Sequence, residues 1–178
     1  MGTQLRLARD ADVPALAALI PLSVRALQSP FYSAAQMEAA LGPVFDVDRQ
    51  LIADGTYFVI ERDDRIIGCG GWSRRKSVCG GDAGRTGPDA LLDPAWDPAR
   101  IRAFFIHPDH ARQGLGTALL EASETALQAA GFSSIELVAT LAGEPLYAAH
   151  GYVVVERYEL TLPNGLPLTV VRMRKRVD

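Results

Sequence analysis

The sequence is poor in the residues that staple, ligate or anchor a chain. It has two cysteines in 178 residues. Cys69 lies in an apolar run and Cys79 in a glycine-rich stretch, with no C-x-x-C spacing, so neither a zinc ribbon nor a redox pair is indicated and both are read as free thiols. Of three histidines, only His107 and His110 are close, and Pro108-Asp109 between them makes a turn the better reading than half a metal site. No metal is expected. No apolar run nears the ~20 residues that span a bilayer, which argues against a membrane protein. Met1-Gly2-Thr3-Gln4-Leu5-Arg6 has no secretory apolar core, so a cytoplasmic location is expected. An excess of one charge is also missing: 18 Lys+Arg against 21 Asp+Glu leave a net charge of −3. Nucleic acid therefore has no electrostatic footprint, and an anionic ligand must be held locally.

What is present is 48% apolar residues in a length suited to one domain over residues 1–178, enough to bury about two-thirds of the unfolded surface without staples. Residues 5–8 read as a first strand. Asp12 is a candidate N-cap for a helix whose apolar positions Val13, Leu16, Ile20, Val24 and Leu27 step by three and four, and Pro21 is expected to kink or split it. Ser33 and Gln36 have capping-box spacing for a second helix to Leu41, stopped by Gly42-Pro43. Residues 57–61 and 65–72 read as a hairpin around Arg62-Asp63-Asp64. Residues 73–100 form a long Gly/Pro-rich connection, read as a partly ordered flap that Leu91, Leu92 and Trp96 help to pack. A strand at 101–106, a turn, a helix at 114–130, a strand at 134–140 and a short helix at 144–150 follow. Residues 153–162 and 168–174 close the chain as a hairpin around Asn164-Gly165. Interleaved elements with hairpins at both ends predict a mixed sheet around one strand–helix–strand unit.

The segment that carries chemistry runs from Phe104-Phe105-Ile106-His107-Pro108 into Arg112-Gln113-Gly114-Leu115-Gly116-Thr117. A strand leads through a glycine-punctuated turn into a helix N-terminus, which gathers unpaired amides and the positive end of the helix dipole. That is an anion site, and a pyrophosphate suits it, with Arg112 and the Thr117 hydroxyl as further donors. A Walker A loop is excluded because no Lys follows the glycines. The dinucleotide fingerprint fails because Leu119 occupies the place of its third glycine, and too little chain follows for further parallel strands.

These residues resemble the acetyl-CoA signature of the GNAT superfamily of N-acetyltransferases. A second, independent stretch, Glu144-Pro145-Leu146-Tyr147-Ala148-Ala149-His150-Gly151-Tyr152, is similar to that family's late helix, and the element order agrees over essentially the whole chain. The resemblance implies an α/β (α+β) GNAT fold, a mixed central sheet of about six to seven strands flanked by about four helices. It implies acetyl-CoA as co-substrate, held at its pyrophosphate by the amides of Arg112, Gln113, Gly114, Leu115, Gly116 and Thr117, with Phe104, Phe105 and Ile106 pairing along the pantetheine arm. The backbone beside Ile106 would polarise the thioester and Tyr147 would protonate the leaving thiolate. Two positions depart from the family pattern: Ala111 replaces a frequent Gln or Arg, and Ala142 a frequent Asn. The signature strand lacks a carboxylate, so the base is open among Glu61, Asp97 and a water chain. The implied acceptor is a small-molecule or peptide amine. Tyr32, Trp72 and Trp96 are candidates to line its site, packing being the alternative reading of each. A homodimer stays open. Apart from transfer to an amine, the rival reading is an acyl-CoA-binding or sensing module without turnover.

Overall fold

The computed structural model describes residues 2–77, 87 and 89–177. Apolar residues in β2 (Tyr57–Arg62) and β3 (Arg65–Ser73) pair antiparallel around Asp63 and Asp64, which accept left-handed φ values of 50° and 59° to close the turn. β3 is buried at seven consecutive positions, as a strand covered on both faces must be. β1 (Gln4–Leu7) adds to β2, and β4 (Ala99–Ile106) adds to the other edge of β3, both antiparallel. β4 then pairs in parallel with β5 (Ser134–Thr140). The hairpin of β6 (Val153–Thr161) and β7 (Pro167–Arg176) completes seven strands in the order β1-β2-β3-β4-β5-β7-β6. Gly165, at φ 83°, makes the turn expected of Asn164-Gly165.

Five α-helices occur among the described residues: α1 (Val13–Leu27), α2 (Ala34–Ala40), α3 (Arg49–Ala53), α4 (Leu115–Ala129) and α5 (Glu144–Ala149). One apolar core joins α1, α2 and α3 to one face of the sheet through Leu16, Ile20, Met37, Leu51 and Val170. A second joins α4 and α5 to the other through Leu120, Leu127, Ile135, Tyr147 and Met173. No helix among the described residues is long and apolar enough to cross a membrane.

Several local expectations change. α1 runs unbroken through Pro21, because burial of Leu16, Leu19, Ile20 and Val24 outweighs the ~3 kcal/mol of an interior proline. Asp12 does not cap α1. Its carboxylate takes the Arg9 amide at 2.7 Å and the Arg6 guanidinium at 2.8 and 2.9 Å, closing the 3-10 turn Asp10–Asp12 before the helix. α3 carries too few residues to show a period; its start is fixed by Asp48, whose Oδ1 accepts from the Leu51 amide at 3.3 Å. In the long connection, Arg75 clamps Asp54 at 2.8 and 2.9 Å and Leu92 N donates to Arg74 O at 2.7 Å, so its two ends are tied together. The flap reading of residues 78–86 and 88, and the free thiol read at Cys79, lie outside the described residues.

Candidate active site

β4 and β5 are paired at Ala99–Ile135 and Arg100–Glu136. Beyond those pairs β4 stays with β3 while β5 stays with β7, and the two strands become opposite walls of a cavity of about 250 Å³. Ala103 sits at the parting, held at φ 58° in a bulge that shifts the β3–β4 register. Left-handed φ is costly for alanine, and Tyr57 secures the distortion by donating its hydroxyl to Ala103 O at 2.8 Å. Ile101–Ile106 form one wall and Val138–Thr140 the other.

From the α4/α5 face, Gly116, Leu146 and Tyr147 enter the cavity lining. The turn before α4 carries two left-handed residues, Arg112 at φ 62° and Gly114 at φ 80°. A Cβ at Gly114 would meet nothing within 4 Å, so space is open beside the residue that precedes this 15-residue helix, and helix geometry gives the helix's first amides no intrahelical partners. The donor set suits a pyrophosphate. Gly116 also has a packing role: its Cβ would come 3.0 Å from Leu146 Cδ2, so this glycine lets α4 and α5 pack closely. Gln113 Oε1 accepts from Arg62 Nη1 at 3.2 Å. His107 Nδ1 accepts from Asp109 N at 3.2 Å and Arg62 contacts His110, so both imidazoles serve the turn.

Phe104 fills the seat left by the missing side chain of Gly70, where any Cβ would overlap its ring, and contacts Tyr147 at a ring separation of 6.0 Å. Phe105 packs edge-on to Phe45 at 6.1 Å from the other face. The Ile106 amide donates to Ser23 Oγ at 3.2 Å and so already has an acceptor. Residues 103–104, which have no registered partner on β3, are the better source of a polarising amide. Tyr147 is 8% exposed, and burial pushes its phenol above the usual tyrosine range. Its hydroxyl has no hydrogen-bond partner among the described residues.

The acceptor-side aromatics lie elsewhere. Tyr32 is buried, donating to Thr169 O at 2.7 Å and accepting from Leu141 N at 3.0 Å. Trp72 packs on Phe132 at 5.9 Å in the second core, and Trp96 is 87% exposed. None of the three is among the residues lining the cavity. Glu61 is paired with Arg6 at 2.8 Å, and Asp97 accepts from Asp93 N at 2.8 Å; neither lines it either. The polar groups that do line it from the α1 face are Ser23, Gln28, Asp46 and Arg102. Asp46 and Gln28 sit in loop and helix-end segments with no periodic or motif signal, which is why sequence reasoning passed over them.

The model of the acetyltransferase (GNAT) domain family matches residues 53–154. No curated protein sequence matches the chain. Among solved structures, the GCN5-related N-acetyltransferase from Rhodopseudomonas palustris superposes with a TM-score of 0.72 at 23% identity, covering 99% of this chain and 97% of that one. The PaiA N-acetyltransferase from Thermoplasma acidophilum, in complex with coenzyme A, gives 0.66 at 13% identity and covers 99% of both chains. The yncA structure from Salmonella typhimurium, with its cofactor acetyl-CoA, gives 0.62 at 16%, covering 99% of this chain and 94% of that one. At these identities the likeness is one of fold.

Proposed function

The chain belongs to the GNAT acetyltransferase family, and from that premise we propose that it transfers the acetyl group of acetyl-CoA directly to a primary amine, of a small molecule or a peptide, within a ternary complex. The observation that carries the reading is a cavity between β4 and β5 whose lining includes both Gly116, at the start of α4, and Tyr147. Acetyl-CoA supplies a thioester carbonyl. The bound ammonium first gives one proton to water, and the neutral amine nitrogen bonds to the carbonyl carbon. The C–S bond breaks, the second proton leaving nitrogen passes to water, and sulfur takes a proton from Tyr147, which solvent restores. The amides from Arg112 to Thr117 hold the pyrophosphate, and the bulged backbone at residues 103–104 polarises the carbonyl. Tyr147 holds the proton for sulfur: a phenol is protonated at neutral pH, and this hydroxyl lines the cavity with no hydrogen-bond partner among the described residues. Enclosure orients the two reactants, which lowers the barrier without a covalent enzyme intermediate. Cys69 supports direct transfer, because burial pushes its thiol up to about 12 and a protonated thiol is a poor nucleophile.

The test is thiol release from acetyl-CoA across a panel of primary amines, read beside protection by CoA against thermal unfolding. Release dependent on an amine supports transfer. Protection without release from any amine supports the sensing module instead, and absence of protection removes the cofactor site altogether.

A further inference from the structure

Two hydrogen-bond acceptors stand on the acceptor wall with no donor of their own. Gln28 caps the C-terminus of α1, its amide bonded to Val24 O at 3.0 Å, and only 7% of it is exposed. It lines the cavity, and its Oε1 is buried with no hydrogen-bond partner. Asp46, in the segment between α2 and α3, lines the same cavity and has no hydrogen bond or ion pair among the described residues. Among the described residues the one cationic side chain in the lining is Arg102. Its guanidinium lies 3.0 Å from the fully buried carboxylate of Asp48 and donates to Ser77 O at 3.3 Å, so it does not balance Asp46. Ser23 Oγ is already engaged by the Ile106 amide and Thr140 Oγ1 by the Gly143 amide. Leu27, Val44, Phe45, Leu160 and Val170 supply apolar wall.

We propose that this wall selects a primary alkylammonium with a slender apolar body and no carboxylate, its N–H groups received by Asp46 and Gln28 Oε1; this rests on the acyl-transfer reading above. A buried acceptor is stabilised by gaining a donor, and a carboxylate accepts an N–H more strongly when the donor is charged. An ammonium supplies three such donors. A free amino acid brings the same ammonium with a carboxylate attached, and that group would face the Asp46 carboxylate, which repels it; the neutral Gln28 amide adds no repulsion of its own, so the discrimination rests on Asp46. Selection thus comes from an unfavourable element against acids as much as from attraction to amines.

Calorimetric titration of the CoA-saturated protein with pairs that differ only in a carboxylate tests this: 2-phenylethylamine against phenylalanine, and 3-methylbutylamine against leucine. The amines should bind, and the amino acids should bind about tenfold or more weakly. D46N should weaken the amines by about tenfold or more and narrow the preference, and Q28L should weaken them by less. Neither change removes a bond made within the described fold, so CoA protection should persist in both variants. Amino acids binding as well as the amines, an amine bound equally by D46N and the parent protein, or no binding by either class would each overturn the proposal. Thiol release measured in parallel separates the two readings. Amine binding without release leaves the recognition standing and sinks transfer, whereas release favouring the amino acids sinks the recognition and leaves transfer.

Discussion

Four buried tyrosines use their hydroxyls differently, and the difference sets apart Tyr147, the proposed proton donor. Tyr32 donates to Thr169 O, Tyr57 to Ala103 O and Tyr152 to Glu124 Oε1, at 2.7, 2.8 and 2.9 Å, as buried hydroxyls ordinarily do. Tyr147 alone has no such partner among the described residues. Y147F therefore removes no internal hydrogen bond, and its stability in a denaturant titration should stay within about 0.5 kcal/mol of the parent. Its kcat for acetyl transfer should fall by about a hundredfold or more, with KM for acetyl-CoA little changed. A loss of stability without a loss of kcat would make Tyr147 a packing residue. Gly116 admits a similar separation. G116V drives a side chain into Leu146 and should cost about 1–3 kcal/mol of stability. Adding L146A should recover part of that loss if the glycine serves helix packing, and none if the damage comes from helix propensity alone. The sequence singles out Tyr147 because it sits in a motif. It does not announce the contact between Gly116 and Leu146, because that contact joins two helices that no local pattern relates.

At the scale of elements, what holds α3 against β4 is a buried ion pair. Asp48 is fully buried and the side chain of Arg102 is 2% exposed, 3.0 Å apart, and the same aspartate caps α3 through the Leu51 amide. D48N would leave the guanidinium buried without its counter-charge, at a cost of about 3–5 kcal/mol, visible as a lower denaturation midpoint. The sequence hid this helix because the residue that starts it is recognised by a partner far along the chain. The first strand has its own electrostatic tether. Arg6 bridges Asp12 and Glu61, and its hydrogen bond to Asp12 holds that carboxyl below the usual carboxylate range. A carboxyl whose folded value is depressed stabilises the protein above its unfolded value, near 3.9, and that contribution drains away as pH falls through the folded value. Stability should thus decline below about pH 4. D12N should lower it by about 2 kcal/mol at pH 7 and flatten the acid limb of a plot of unfolding free energy against pH.

Across the whole molecule, the order of strands and helices was legible because each element carries its own period or cap, while the parting of β4 from β5 was not. Opening a sheet at that point depends on a left-handed bulge at Ala103, and Ile101-Arg102-Ala103-Phe104 contains no glycine to announce one. The consequence is a sheet whose two halves, β1–β4 and β5–β7, share only two registered residue pairs, Ala99–Ile135 and Arg100–Glu136. Each half continues as an antiparallel ladder, that of β3 and β4 interrupted by the bulge. A ligand seated between the halves contacts both, so its binding energy adds to the cohesion of the folded state and is lost on unfolding. With CoA at about 100 times its Kd, the folded state should gain about 2.7 kcal/mol. For a chain of this size that is a rise in melting temperature of about 5–10 °C, measurable by scanning fluorimetry. G114V should lose most of that rise because it places a side chain in the open space before α4, and it should also lower the ligand-free melting temperature, since φ 80° strains a β-branched residue by about 1–3 kcal/mol. The two effects separate in one titration. Strain displaces the melting temperature at zero CoA, whereas loss of the cradle flattens its dependence on CoA concentration. A G114V protein that starts lower but climbs as steeply as the parent would place the pyrophosphate away from α4.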